Sequence, residues 1–469
     1  MKTVKTITAA CLLLLLAFSL PASSWLPPSA IQQDAQADEI TETMEKLEAL
    51  YRLIESTFIY DIDADAVFDS MAKGLFSALN DPYSEYITEE ESSDIQDLTM
   101  GVYGGIGAYI SKPNPSYIDY DDPESYMVTI VSPFEGSPAS KAGLHAGDLI
   151  SEIDGKPVDE YTVQEAAANL RGEPGTIVRL TVHRRDLVLT INVERAIVEI
   201  PTVRSDMIDT TGYLHILEFT PITPEKVREA LDEFEEASYS SMILDLRSNP
   251  GGSVDSAVQI ADLFLDKRTV LIMETGPEQK VSRYTTDSGV SVPEEIPLII
   301  LTNGGTASSS EILAGALRDN DRAVIVGSTS FGKGLVQNVY PFDAGDYFKI
   351  TSGRYLTPDG IDIHEVGIVP DVDVVEPELS EEELNILTRL QEEKLIDSFT
   401  AEHDEFVDEE VDAFVEELQN SGYTLSSRYL RKLIRNAFEE TMDVVPVYDL
   451  EFDLVLQRAL EIIGSGEAQ

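Results

Sequence analysis

Cysteine is almost absent: Cys11 is the only one among 469 residues. It lies in an N-terminal apolar run, so neither a disulfide framework nor a cysteine-ligated metal site is available. Basic residues are scarce as well, 33 Lys and Arg against 86 Asp and Glu, for a formal net charge of −53 at pH 7. Such a surface repels nucleic acid and anionic membranes, which excludes both as electrostatically favoured partners. Histidine is limited to His145, His183, His215, His364 and His403, with no HExxH or comparable ligand spacing, which disfavours a metalloprotease. Of these, His215 and His364 are the two to check as the base of a Ser–His–Asp hydrolase; the other three read as surface or packing residues. Asp119, Asp121 and Asp122 lack the order of an EF-hand loop. No cofactor and no metal are expected.

What is present begins with a targeting segment, assigned to residues 1–37. Lys2 and Lys5 precede an apolar run from Ile7 to Leu20, the length of a signal-peptide core and short for a bilayer span. The body is therefore expected outside the cytoplasm: periplasmic, in the cell envelope or secreted, with retention on an uncleaved N-terminal anchor as the alternative. Ala35-Gln36-Ala37 has the small-x-small form of a cleavage site.

Residues 38–98 carry apolar positions Met44, Leu47, Leu50, Tyr51 and Ile54 at helical spacing. Residues 99–196 change to short β-rich runs between Gly and Pro turns. Residues 197–375 alternate strand and helix, with a helix opened by Thr223-Pro224 as N-cap and N1 and buried strands at Met242 to Leu246 and Leu298 to Thr302. That alternation implies parallel strands covered by helices. Residues 376–469 read as Glu-rich amphipathic helices.

Three segments of the third region hold the chemistry. Pro297 to Glu311 reads as a buried strand, a Gly-Gly turn and a helix start, which puts Ser308 at a helix N-terminus where backbone N–H groups favour developing negative charge. The same letters, Ser308-Ser309-Ser310-Glu311, also form a capping box, and the serine taken alone reads as a helix cap. In Ser330 to Gln337 a lysine stands between two glycines ahead of an apolar strand. Burial would lower the pKa of such a lysine towards that of a general base. If residues 333–339 form a strand, Lys333, Leu335 and Gln337 share a face and the Gln337 amide can orient the amine. The residues by themselves leave Lys333 between a base and a phosphate-binding or structural lysine. In Leu244 to Gly252 a buried strand ends in a tight turn; the N–H groups of Gly251 or Gly252, with that of Ser309, would make an oxyanion hole.

Taken together, NGGTASSSEI (303–312), FGKGLVQ (331–337) and LDLRSNPGG (244–252) resemble the motifs of the carboxy-terminal processing proteases, or tail-specific proteases: Ser–Lys peptidases with an inserted PDZ domain. YGGIGAYI (103–110), SPASKAGLHAGDLISEIDG (137–155) and RGEPGTIVRLTVHR (171–184) resemble the family's PDZ domain. The resemblance implies Ser308 as nucleophile, Lys333 as general base and Gln337 as its orienting partner. It implies a multidomain α+β fold: an α/β protease core with a mainly parallel sheet, an inserted PDZ domain, and helical N- and C-terminal segments. The implied activity is serine endopeptidase cleavage of exported proteins near their C-termini.

The PDZ reading has its own physics. Gly105, Ile106 and Gly107 offer a run of backbone N–H groups to a terminal carboxylate, and a substrate tail would add as a strand along Ile106 to Ile110, with the helix Val163 to Leu170 as the other wall. Expected partners are protein substrates held by their C-terminal tails, with a homodimer through the helical N- and C-terminal regions as a further contact. The rival to an enzyme is a catalytically silent PDZ scaffold or holdase of the cell envelope.

Overall fold

The computed structural model describes residues 34–89, 91, 101–113, 125–185, 187–287, 289–342, 345–375, 377, 379–403, 405–439, 442 and 445–466. The targeting segment up to residue 33, and Asp119, Asp121 and Asp122, lie outside them. The chain forms two compact units, one of Met1–Asp94 with Val336–Ser352 and one of Ile95–Leu335 with Gly353–Gln469.

In the first unit α1 (Asp34–Thr57) and α2 (Ala64–Ser77) follow the helical pattern of the sequence, and α1 takes in the Ala35-Gln36-Ala37 triplet. The Asp63 carboxylate caps α2 by accepting the Asp65 and Ala66 N–H groups. The pattern gave no sign of β1 (Glu85–Ile87), which pairs antiparallel with residues 347–349 of β18 (Tyr347–Leu356). Phe68, Tyr86, Phe342 and Phe348 gather around this pairing with ring centroids 6.1 to 6.3 Å apart.

The β-rich insert of the second unit begins with β2 (Val102–Gly105), which pairs with β9 (Ala196–Glu199). Its main sheet runs β3 (Ala108–Ser111), β4 (Val128–Pro133), β5 (Leu149–Ile153), β7 (Ile177–Arg184) and β8 (Leu187–Glu194), with β6 (Lys156–Pro157) on β5. β3 is therefore an edge strand. Two helices complete the insert, α3 (Pro138–Lys141) and α4 (Val163–Leu170), the latter opened by a reciprocal Thr162/Glu165 capping box. Ile130, Ile150, Leu180 and Val182 alternate along their strands into one apolar core.

The larger sheet has the order β10 (Val203–Ile208), β11 (Thr211–Ile216), β12 (Ser241–Asp245), β15 (Leu298–Thr302), β16 (Val324–Gly327), β19 (Val372–Asp373). It is parallel from β11 onward, with β10 antiparallel at its edge. Every residue of β12 and β15 is buried, as apolar runs such as Leu298-Ile299-Ile300-Leu301 require of a strand covered on both faces. On one face Phe234 of α5 (Thr223–Glu236) lies so close to Gly212 that a Cβ there would come within 2.6 Å of its ring. The N-cap of α5 is Ile222, one residue earlier than the sequence suggests; Thr223 is buried at N1, where its hydroxyl accepts from Thr220 N–H and donates to the Glu218 carbonyl. α6 (Val254–Ala261) and α7 (Ser309–Asp319) follow β12 and β15. Beside them, β13 (Thr269–Thr275) and β14 (Lys280–Thr285) form an antiparallel ribbon joined by residues 353–356 of β18.

The C-terminal region is not one helical tail. α8 (Glu381–Glu392), α9 (Leu395–Glu402), α10 (Asp408–Asn420) and α11 (Ser427–Glu439) bury a core of their own around Leu390, Val415, Leu418, Leu430, Ile434 and Phe438. α12 (Leu454–Ser465) instead lays Leu456, Ala459 and Ile462 on the large sheet against Ile243, Ile299 and Val326. Among the described residues no helix is long and apolar enough to cross a membrane.

Candidate active site

β12, β15 and β16 are neighbouring parallel strands, so the segments that leave their C-terminal ends emerge on one edge of the sheet. Those segments are residues 246–253, 303–308 and 328–334, the three stretches singled out in the sequence. Topology alone brings them together.

Ser308 stands at the N-cap of α7 with φ 56° and ψ −117°. The helix-capping serines of this chain do not look like this: Ser137, Ser253 and Ser380 all have the extended backbone of an N-cap, with φ between −68° and −65°. A non-glycine residue held in so unfavourable a conformation costs energy that the surrounding contacts must supply, and such residues cluster at functional sites. The turn around it is fixed by polar bonds on every side. Thr306 donates to the Leu246 carbonyl at 2.8 Å, Ala307 N–H to the Asn249 carbonyl at 3.0 Å, Ser310 Oγ to the same carbonyl at 3.0 Å, and Ser309 Oγ to the Gly252 carbonyl at 2.8 Å.

Glu311 is the hub. Fully buried, its carboxylate accepts Ser308 N–H at 2.9 Å and Lys333 N–H at 2.8 Å on Oε2, and Ser330 Oγ at 2.5 Å and Gly332 N–H at 2.8 Å on Oε1. It thereby ties the lysine loop to the serine turn. Tyr355, 2% exposed, donates its hydroxyl to the Lys333 carbonyl. Burial, reinforced by the Glu311 charge, pushes its hydroxyl well above the ordinary tyrosine range, and the neighbouring Ser308 side chain only partly offsets this. Tyr355 is therefore a neutral donor at any working pH.

Lys333 lies in the loop, not in a strand: β17 spans Leu335–Pro341. The shared-face argument linking Lys333 to Gln337 therefore fails, because Gly332 at φ 87° and the close approach of Gly334 to the His364 backbone hold the chain in a turn up to residue 334. Gln337 belongs to the other compact unit, where its amide donates to Thr351 Oγ1 at 3.4 Å.

Of the two glycines proposed for an oxyanion hole, Gly251 gives its N–H to the Asn249 side chain at 2.9 Å. Its place is set by space: a Cβ there would come within 2.7 Å of the Ser308 Cβ. Gly252 bridges Phe219, whose N–H and carbonyl bond residues 251 and 253. The N–H and carbonyl of Gly252 itself therefore point the other way, and the carbonyl meets Ser309 Oγ. Ser309 N–H occupies the first helical position, which has no intrahelical acceptor.

Arg247 anchors this strand end. It pairs with Asp245 at 2.5 Å and with Asp453, the N-cap of α12, at 2.6 Å. Burial would raise the Asp245 carboxyl, but the Arg247 charge outweighs it and holds the group below the ordinary carboxylate range. Of the histidines, His215 Nε2 lies 3.4 Å from the Arg247 carbonyl, and His364 Nδ1 is buried with no hydrogen-bond partner among the described residues. No group of three or more His, Cys, Asp or Glu placed to hold a metal ion occurs among the described residues.

In the insert, Gly105 ends β2, Ile106 and Gly107 connect it to the edge strand β3, and α4 follows the predicted bounds. Sequence reasoning missed Asn249, Glu311, Ser330 and Tyr355. A glutamate opening the buried run Glu311-Ile312-Leu313-Ala314 was a signal, since an acidic side chain at the start of so apolar a face needs several donors.

Comparison with known proteins gives the family of the chain. The model of peptidase family S41 matches residues 210–374, that of the PDZ domain residues 129–184, and that of the activating protease CtpB N-terminal domain residues 22–91. A carboxy-terminal-processing protease of Bartonella bacilliformis is 34% identical over 334 residues, 70% of this chain and 74% of the relative. A probable CtpA-like serine protease of Staphylococcus aureus is 33% identical over 345 residues, 73% and 67% respectively. Among solved structures, the photosystem II D1 C-terminal processing protease is 28% identical, with 69% of this chain and 86% of that one covered and a TM-score of 0.42.

Proposed function

Since the chain belongs to peptidase family S41, as a serine-type carboxy-terminal-processing protease with a PDZ domain, we propose that Ser308 is its nucleophile and Lys333 its general base. The observation that supports this most directly is the strained Ser308 backbone tied through Glu311 to Lys333. In the proposed reaction the neutral Lys333 amine takes the Ser308 hydroxyl proton as Oγ attacks the scissile carbonyl. The resulting oxyanion is held by the N–H groups of Gly252 and Ser309, with Gly251 kept small so that the turns can meet. The Lys333 ammonium then protonates the departing amine, and water repeats the sequence to release the acyl group.

The PDZ domain is proposed to take the substrate's C-terminal tail as an added strand on β3, with the terminal carboxylate on the turn from Gly105 to Gly107. The open edge of β3 supports this, as every other strand of that five-strand order except β8 has neighbours on both sides. Amidating the C-terminus of a model substrate, or making its last residue Asp, should slow cleavage by about tenfold to a hundredfold. Equal rates for acid, amide and Asp-ended substrates would refute tail recognition while leaving the peptidase assignment untouched.

The protein is proposed to work outside the cytoplasm, on the strength of the charged and apolar N-terminal run. A second copy of the chain is proposed as the partner of α1. Ile40, Met44, Leu47, Leu50, Ile54 and Phe58 follow one another at helical spacing and are all exposed, whereas the C-terminal helices bury their own apolar faces. Sedimentation of the full chain should give a dimer that Leu47→Glu with Ile54→Glu converts to monomer; a wild-type monomer at micromolar concentration would refute it.

A further inference from the structure

The turn from Ser248 to Gly252 begins with strain. Ser248 lies at φ 58°, a left-handed backbone that a serine keeps only where its surroundings fix it. Some of the fixing bonds come from the nucleophile's own segment: Ser248 N–H donates to Asn303 Oδ1 at 2.8 Å, and the Asn249 carbonyl accepts from Ala307 N–H and Ser310 Oγ. The residue before the strained one is Arg247, whose guanidinium is held by two carboxylates. Asp245 accepts Nε on both oxygens at 3.0 Å and Nη2 on Oδ2 at 2.5 Å. Asp453 accepts Nη1 on Oδ1 at 2.9 Å and meets Nη2 with Oδ2 at 2.6 Å.

One carboxylate already neutralises the arginine, so charge balance does not call for the second. Nor does α12 need an aspartate to start it: Asp453 Oδ1 accepts Leu456 N–H at 2.9 Å as the N-cap, a task serine performs as well. What the aspartate adds is reach to Arg247. Asp453 is itself fixed by the residues before it. Arg428 of α11 donates to the Glu451 and Phe452 carbonyls at 3.0 and 2.8 Å, Arg435 donates to the Glu451 carboxylate at 2.9 Å, and Phe452 is buried. The C-terminal region thus bears directly on the strand end that carries the catalytic turn.

We propose that Asp453 is a positioning residue of the active site: by gripping Arg247 together with Asp245 it fixes how the Ser248–Gly252 turn leaves its strand, and so where the Gly252 N–H stands relative to Ser308. This rests on the Ser308–Lys333 reading given above and gives the C-terminal segment a part in it. Without the Asp453 carboxylate, Arg247 keeps its pair with Asp245, so no charge is left buried alone and the fold holds. What is lost is one of the two anchors that orient the guanidinium. The strained turn then relaxes, and the oxyanion donor shifts away from the nucleophile. Such a shift costs turnover and leaves substrate binding elsewhere untouched.

The test compares the full chain with two variants. Asp453→Ser keeps a capping oxygen for Leu456, but its shorter side chain gives up Arg247. Ile462→Ala loosens α12 on the large sheet, farther along the helix, and leaves the Asp453–Arg247 pair alone. Cleavage of an unstructured protein substrate is measured at a temperature where circular dichroism shows both variants folded. Asp453→Ser should lose roughly tenfold in kcat with KM within about twofold of wild type. Amide hydrogens of residues 246–253 should exchange faster in it than in wild type. Ile462→Ala should unfold at a lower temperature yet keep the wild-type kcat. Wild-type kcat or unchanged exchange in Asp453→Ser would overturn the proposal, and so would an equal kcat loss in Ile462→Ala, which would trace the effect to helix packing. Wild-type cleavage by Ser308→Ala would instead overturn the nucleophile reading on which the proposal stands.

Discussion

Ser308→Ala should lower kcat/KM for an unstructured protein substrate by about 10⁴-fold or more, with the fold intact by circular dichroism. Lys333→Ala should do the same, because a hydroxyl that cannot pass its proton to a base is a poor nucleophile. The two losses should not add: the double variant should be no slower than either single one, since the residues act as a unit. Only the neutral amine accepts the proton, so the wild-type rate should rise with pH through neutral into the mildly alkaline range. Tyr355 contributes no titration there, its hydroxyl being held protonated by burial. Activity near wild type in either single variant would sink the assignment and revive the silent-scaffold alternative or a histidine base. His364, whose buried Nδ1 is unpartnered among the described residues and whose backbone abuts Gly334, is the residue to replace next. His364→Ala should retain cleavage if Lys333 is the base, and chelators should have no effect.

Ser308 and Lys333 could be singled out as candidates because each sits in a short segment whose composition departs from the bland alternatives: small hydroxyl residues after a buried strand, and a lysine between glycines. The parallel sheet was legible for the same local reason, in the unbroken apolar runs of β12 and β15. What could not be read was anything set by contacts distant in sequence. Glu311 looked like the fourth letter of a capping box, and it does accept the Ser308 N–H; that it also gathers three donors from residues 330–333 depends on β16 lying beside β15. Period-two reasoning placed Lys333 on a strand face, whereas backbone crowding at Gly334 delays β17 to Leu335. The ribbon β13–β14 escaped because Lys280–Thr285 is almost wholly exposed and has no apolar alternation to betray it. α12 looked like part of the helical tail; its role follows from Asp453 meeting Arg247, a pairing over 206 residues.

Glu311→Gln should cost less than Ser308→Ala but still impair cleavage strongly, although Glu311 is fully buried. The side chains have the same shape, but glutamine has one acceptor oxygen and an NH₂ group in place of the second. Whichever way it is placed, that NH₂ faces two donors: Ser308 and Lys333 N–H groups in one orientation, Ser330 Oγ and Gly332 N–H in the other. Either leaves at least one buried N–H donor unsatisfied, at about 1–3 kcal/mol each. The released strain in the Ser308 backbone, φ 56°, adds a reason for the turn to relax. The variant should therefore unfold at a lower temperature and lose about 10²- to 10³-fold in kcat, with KM much less affected because the substrate groove is untouched. A purely structural role would predict the stability loss with kcat recovering at low temperature, where the folded fraction is restored. A kcat deficit that persists at low temperature in fully folded protein would mark Glu311 as the positioning residue of the Ser308–Lys333 pair. Wild-type kcat in folded protein would refute it.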